Sequence, residues 1–142
     1  MSNIEDRLHD LALEAGIELI ETRELDARFN AVFHSPSRRV FVRSGLDPAT
    51  RVCAIAHELG HAANNDTCSS SRAERLADEW AAMKLIDGDT VADLAHVFHG
   101  ASTAIAAELG ITPHLLGIWH QLVETGRIKP LPGATKIQIC PA

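Results

Sequence analysis

No run in this 142-residue chain approaches the roughly 18 consecutive apolar residues that a membrane-spanning helix requires. The start, Met1-Ser2-Asn3-Ile4-Glu5-Asp6-Arg7, lacks the basic and apolar regions of a signal peptide, so a cytoplasmic protein with no membrane partner is expected. Positive charge is scarce as well: 13 Lys and Arg face 19 Asp and Glu, for a formal net charge of -6. That balance would not hold the chain on a phosphate backbone or an anionic lipid surface, which makes nucleic acid a poor default partner. Cysteine is sparse and odd in number. Cys53, Cys68 and Cys140 are widely spaced and fit reduced thiols better than a disulfide framework. Tyrosine is missing altogether, so no phenolic hydroxyl is available to any reaction centre. No internal repeat or linker is evident, and an ordinary globular composition, 46% hydrophobic and 23% charged, predicts one domain over residues 1–142.

What the chain does contain is His57-Glu58-Leu59-Gly60-His61. On a helix, histidines four apart share a face and both imidazoles reach one metal ion, while the intervening Glu stands beside the open coordination position. The helix is well specified. Asp47 is a good N-cap, Pro48 suits the first helical position, and Val52, Ile55, Leu59 and Ala62 recur at helical spacing roughly opposite the two histidines. At this composition chance would supply about 0.03 such motifs, so two unrelated surface histidines are a weak rival reading. Cys53 lies one turn before His57 on the ligand side; a small buried filler is the better reading, since the motif already supplies ligands.

Upstream, Ile4, Leu8, Leu11, Ala12 and Ala15 make an amphipathic helix capped by Asn3 and stopped by Gly16. Ile17 to Thr22 alternates weakly and reads as a short strand. Phe29 to His34 and Arg39 to Arg43, flanking Ser35-Pro36-Ser37, read as a hairpin that leads into the motif helix. His34 near the turn is expected to be solvated rather than turned into a cleft.

Downstream, Asn64-Asn65-Asp66 and Ser69-Ser70-Ser71 are loop chemistry, and a further helix is expected from about Arg72 to Ile86. A zinc site built on two histidines needs a third protein ligand, and Glu74, Asp78 and Glu79 are the nearest acidic residues on a regular element. Leu76, Trp80, Ala73, Ala77 and Ala81 define the buried side, with Glu74 and Asp78 on its edge. Glu79, five residues and roughly 140° from Glu74, is expected to point outward. Glu74 has a second reading, because Ser71-x-x-Glu74 also spells a capping box. The upstream motif favours ligation.

Ala56-His57-Glu58-Leu59-Gly60-His61-Ala62, followed by Glu74-x-x-Ala77-Asp78-x-Trp80-Ala81-x-x-x-Leu85, resembles the ImmA/IrrE-type metallopeptidases, zinc proteins of bacteria, phages and mobile elements. The resemblance covers roughly residues 29–86. It implies that His57, His61 and Glu74 bind Zn2+, that Glu58 is the catalytic base, and that Asp78 supports a zinc histidine from behind. It also implies a protein substrate, a repressor or regulator encoded nearby. The chain departs from the family where the second segment often ends in Leu-Leu-Met-Pro; here it reads Leu85-Ile86-Asp87-Gly88.

Beyond Gly88, Thr90 to Phe98 reads as a helix with Val91, Leu94, Ala95 and Phe98 on one side. Ile105-Ala106-x-x-Leu109-Gly110-Ile111-Thr112-x-x-x-Leu116-x-x-Trp119 has helix-turn-helix spacing within a helical subregion of about residues 90–126. Its second helix, Pro113 to about Glu124, contains neither Lys nor Arg, so packing or protein binding is favoured over DNA reading. With no Tyr, an oxyanion donor from a side chain would have to be a His or Arg; His96, His99, His114 and His120 read as surface or core-edge residues and are left out of the site. Pro130, Pro132, Gly133 and Pro141 mark a loose tail, with a short strand expected at Ile137 to Ile139.

Together these features predict a mainly helical α+β, zincin-like domain with a small antiparallel or mixed sheet beside the metal helix, acting as a zinc-dependent metalloendopeptidase. The alternative is a regulatory protein-binding or DNA-binding module with a structural zinc. The presence of Glu58 argues against it, since a structural site needs no base.

Overall fold

A computed structural model describes residues 3–66 and 69–128. Its elements run α1 (Ile4–Glu14), β1 (Glu18–Thr22), β2 (Ala31–His34), β3 (Arg39–Arg43), α2 (Pro48–Ala63), α3 (Ser71–Leu85), α4 (Gly88–Val97), α5 (Ser102–Leu109) and α6 (Pro113–Glu124). The arrangement is α+β, with helices predominating. The expected strand at Ile137 to Ile139 lies outside the described residues, as do Cys68 and Cys140.

The hairpin forms as the sequence predicts, with Val32 opposite Phe41 and Phe33 opposite Val40, and β1 joins it in parallel on the other side of β3. The sheet is therefore mixed, in the order β1-β3-β2. Central β3 buries Val40 and Val42 completely against the helices. β2 is left as an edge strand, and it lies over α2.

α2 is the helix around which the rest packs. Asp47 caps it, its side chain accepting the Thr50 N–H, and Pro48 occupies the first turn. Val52, Ile55, Ala56 and Leu59 are buried in the core with Leu8 of α1 and the β3 valines, and burial of each large side chain stabilises the fold by about 2 kcal/mol. Arg51 fastens the start of α2 to two other elements, with its guanidinium 2.7 Å from Glu5 of α1 and 3.2 Å from Glu21 of β1.

α3 packs against α2 on one side and α6 on the other. The first contact is unusually close: a Cβ at Gly60 would stand 2.8 Å from the Ala77 carbonyl oxygen, so only glycine permits this crossing. The second contact corrects the expectation for Glu79. Rather than pointing outward, its carboxylate is 8% exposed and accepts both hydrogen bonds from Arg127 Nη1, at 2.6 and 2.8 Å. The side of α3 turned away from α2 is not a solvent face, because α6 and the turn after it cover it. The capping box is also absent. Ser70, not Ser71, caps α3 by accepting the Ala73 N–H, and the Glu74 side chain is free for another partner.

α4 begins at Gly88, two residues before the expected start, because Asp87 caps it through the Thr90 N–H. α5 and α6 are joined by a short turn, Gly110-Ile111-Thr112. Gly110 turns the chain with φ 76°, Thr112 caps α6, and Ile105, Ala106, Ile111, Leu115, Leu116 and Trp119 are buried between the helices and the core. No helix among the described residues is long and apolar enough to cross a membrane.

Candidate metal centre

His57 and His61 stand on the α2 face that borders α3, as the motif requires. Their rings meet edge to face with centroids 4.7 Å apart, and their Nε2 atoms are separated by 3.1 Å. Glu74 of α3 reaches the same point: Oε2 is 2.6 Å from His57 Nε2 and Oε1 is 3.2 Å from His61 Nε2. The close crossing at Gly60 and Ala77 brings Glu74 and Asp78 within reach of α2. Among the described residues, donor atoms of His57, Glu58 and His61 also cluster within 4.8 Å of one another. Glu58, however, is directed to the sheet, where its Oε2 accepts the Phe33 N–H at 3.0 Å.

The two rings are held from behind. His57 Nδ1 lies 2.6 Å from Asp78 Oδ1, and His61 Nδ1 lies 2.8 Å from Asp66 Oδ2. A carboxylate only accepts, so each Nδ1 donates, and a ring in its neutral form then presents its Nε2 lone pair inward. Glu74 is held in turn by the Ser69 hydroxyl, which donates to Oε1 at 2.8 Å. With both rings neutral, two nitrogen lone pairs and a carboxylate facing one another suit a cation. Their spacing suits a shared metal ion, since two imidazoles bound tetrahedrally at about 2.05 Å would place their nitrogens roughly 3.3 Å apart.

The electrostatics agree. Burial pushes the His57 imidazole down, but the Asp78 and Glu74 carboxylates and the Glu58 charge outweigh it and raise its pKa from 6.5 to about 9. This environment favours the protonated ring of His57 in the absence of a metal. Burial would raise Asp78 and Glu74 too, yet hydrogen bonds from His57 to both, and from Ser69 to Glu74, hold them below their ordinary range. Glu58 behaves oppositely. Its burial wins over His57, the Phe33 amide and His61, and its carboxyl is pushed above the usual value, as suits a group that must hold a proton during a reaction.

A cleft of about 270 Å³ opens in front of this cluster. Phe29, Ala31, Val32 and Phe33 form one wall, from β2 and the loop before it. Asp66, Ser69 and Glu74 form the other, with Glu58 and His61 between them. In an antiparallel pair, alternate residues turn their amides toward and away from the partner strand. Phe33 N–H points away from β3, to Glu58, so the backbone groups of Ala31 and Phe33 belong to the free edge.

Sequence reasoning missed Asp66 as a partner of His61, having placed it in a loop. The helix-ending signal of Asn64-Asn65 is the one that would have found it. His114 is the surface residue that the sequence suggests, its side chain 75% exposed, and its Nε2 also lies 3.6 Å from Asp78 Oδ2. His34 is exposed and bonded to Ser37 Oγ in the turn. Cys53 is no ligand: its half-buried Sγ accepts from the Thr112 N–H at 3.4 Å and burial pushes the thiol up.

A helix-borne His-Glu-x-x-His set beside a short mixed sheet, with a carboxylate from the next helix, defines an α+β domain whose His-Glu-His group could bind a metal. The chain belongs to the Peptidase M78 family, described as the IrrE N-terminal-like domain, whose profile matches residues 12–117. The match extends the resemblance visible at 29–86 in both directions and includes every residue of the cluster. Membership implies a hydrolase of the metallopeptidase type. No curated protein matches the chain.

Proposed function

We propose that this chain is a zinc-dependent metalloendopeptidase, in which His57, His61 and Glu74 hold the ion, Glu58 is the base, and Asp78 orients His57. The observation that carries the reading is the convergence of two Nε2 atoms and the Glu74 carboxylate within 2.6–3.2 Å, with a raised Glu58 carboxyl on the cleft side. Zinc, when bound, supplies a Lewis acid that polarises a peptide carbonyl and brings the pKa of water down to about 7. Glu58 takes a proton from the attacking water on a carboxylate oxygen and passes it to the leaving amine nitrogen. An extended substrate adds to the free edge of β2, whose outward amides and carbonyls border the cleft.

The substrate class rests on family resemblance: a repressor or regulator in bacterial, phage or mobile-element control, met in the cytoplasm. We assign the α5–α6 unit to packing or protein contact, since its second helix has no Lys or Arg for phosphate. The test is metal analysis together with Glu58→Gln. The purified protein should hold about one zinc per chain, and the variant should keep it while losing cleavage of the regulator encoded next to the gene. A protein purified at neutral pH without any transition metal would overturn the reading.

A further inference from the structure

We infer that Asp66 is the positioning residue of His61, fixing the ring so that Nε2 faces the metal; the inference rests on the metal reading above. The end of α2 places it there. Asn64 is the C-cap and Asn65 follows in the left-handed region with φ 55°. The Asn65 N–H donates to the Ala62 carbonyl at 3.2 Å and the Asp66 N–H to the His61 carbonyl at 3.0 Å. These two bonds are those of the Schellman motif, which folds the second residue after the cap back over the last full turn of the helix.

The residue laid over that turn is Asp66, and the residue beneath it is His61. Backbone and side chain then grip the same histidine. The Asp66 N–H is spent on the His61 carbonyl, and Oδ2 stands 2.8 Å from His61 Nδ1 with the carboxylate 22% exposed. A neutral imidazole can carry its proton on either nitrogen, and the partner of one nitrogen decides the state of the other. Asp66 keeps the proton on Nδ1 and restricts rotation of the ring, leaving Nε2 as the donor atom. His57 receives the same treatment from Asp78 on α3. Each histidine is thus steadied from a different piece of chain, one by a neighbouring helix and the other by the turn that ends its own.

Zinc affinity and the state of the ring test this together. Zinc binding is measured by competition with a chromophoric chelator for the wild type, Asp66→Ala and Asp66→Asn. The His61 Nδ1–H resonance is followed by nitrogen-edited NMR on the zinc-free proteins. Asp66→Ala should weaken zinc binding about 10- to 100-fold and expose the Nδ1 proton to rapid exchange. Asp66→Asn, whose amide oxygen still accepts, should retain the protected proton and most of the affinity. The backbone bonds of the turn do not involve the carboxylate, so the zinc-free Asp66→Ala protein should fold as the wild type does. Unchanged affinity in Asp66→Ala, a protected Nδ1–H that survives it, or failure of that variant to fold would each overturn the assignment. If the wild type binds no zinc, the metal reading fails, while the resonance in zinc-free protein still decides whether Asp66 orients the ring.

Discussion

Gly60 lies against the backbone of Ala77, so close that a Cβ would come within 2.8 Å of the Ala77 carbonyl oxygen and 3.0 Å of its Cα. Backbone cannot yield as a flexible side chain does, so a larger residue must push α3 away from α2. Glu74 and Asp78 ride on α3, one turn apart, and would move with it. Gly60→Ala should therefore destabilise the fold by about 1–3 kcal/mol and also weaken zinc binding, although it touches no ligand. Denaturant unfolding and a zinc titration on the same protein check both.

The acidic residues of α3 should separate cleanly. Glu74→Ala removes a donor atom and should abolish tight zinc binding, while Asp78→Ala should cost about 10- to 100-fold in affinity by freeing the His57 ring. Glu79→Ala should leave zinc affinity unchanged and instead lower stability by about 1–3 kcal/mol, because it strips Arg127 of both its charge-assisted hydrogen bonds. Loss of metal from Glu79→Ala with retention in Glu74→Ala would reverse the ligand assignment.

On the proposed ligand set, zinc binding should displace a proton from His57. With the His57 pKa at about 9 in the metal-free fold and 6.5 as its ordinary value, the ring is protonated at pH 7 and binding should release that proton. Apparent affinity should rise with pH, approaching tenfold per unit below about pH 9, as far as this group controls it. The metal-free fold has the opposite dependence. A raised folded pKa contributes stability that is complete below pH 6.5 and disappears as pH climbs through about 9. Calorimetry in buffers of different ionisation enthalpy measures the released proton, and chemical unfolding in chelator follows the stability.

DNA binding should be absent. α6, the second helix of the pair, contains neither Lys nor Arg, and the whole chain carries -6. Fluorescence anisotropy with duplex DNA at low salt should show no sequence-selective complex. A salt-sensitive, selective one would move the regulatory reading ahead of the peptidase.

Much of this architecture was legible because it is local. Asp47-Pro48, Thr112-Pro113 and Gly110 mark helix ends through steric and capping rules that act within a few residues, and the α2 apolar stripe declares which face is buried. Glu79 was illegible for the complementary reason. A helix wheel shows how α3 is divided, but not that α6 and Arg127 cover its second side, which depends on contacts 48 residues away. Ser70 rather than Ser71 caps α3 because adjacent serines offer equivalent hydroxyls and the loop geometry chooses between them. Asp66 falls between these cases. Reading Asn64-Asn65 as a helix end would have placed it over His61, whereas the approach of His114 to Asp78 depends on how α6 docks.

The contact between Phe33 N–H and Glu58 has a consequence for timing. Phe33 offers one amide proton, and it sits on the edge where an incoming strand would dock. With no strand there, that proton tethers the base to the sheet. On the function proposed above, a docking backbone carbonyl would compete for the same proton and release Glu58 from the sheet. Readiness of Glu58 for chemistry would then depend on whether the edge is occupied.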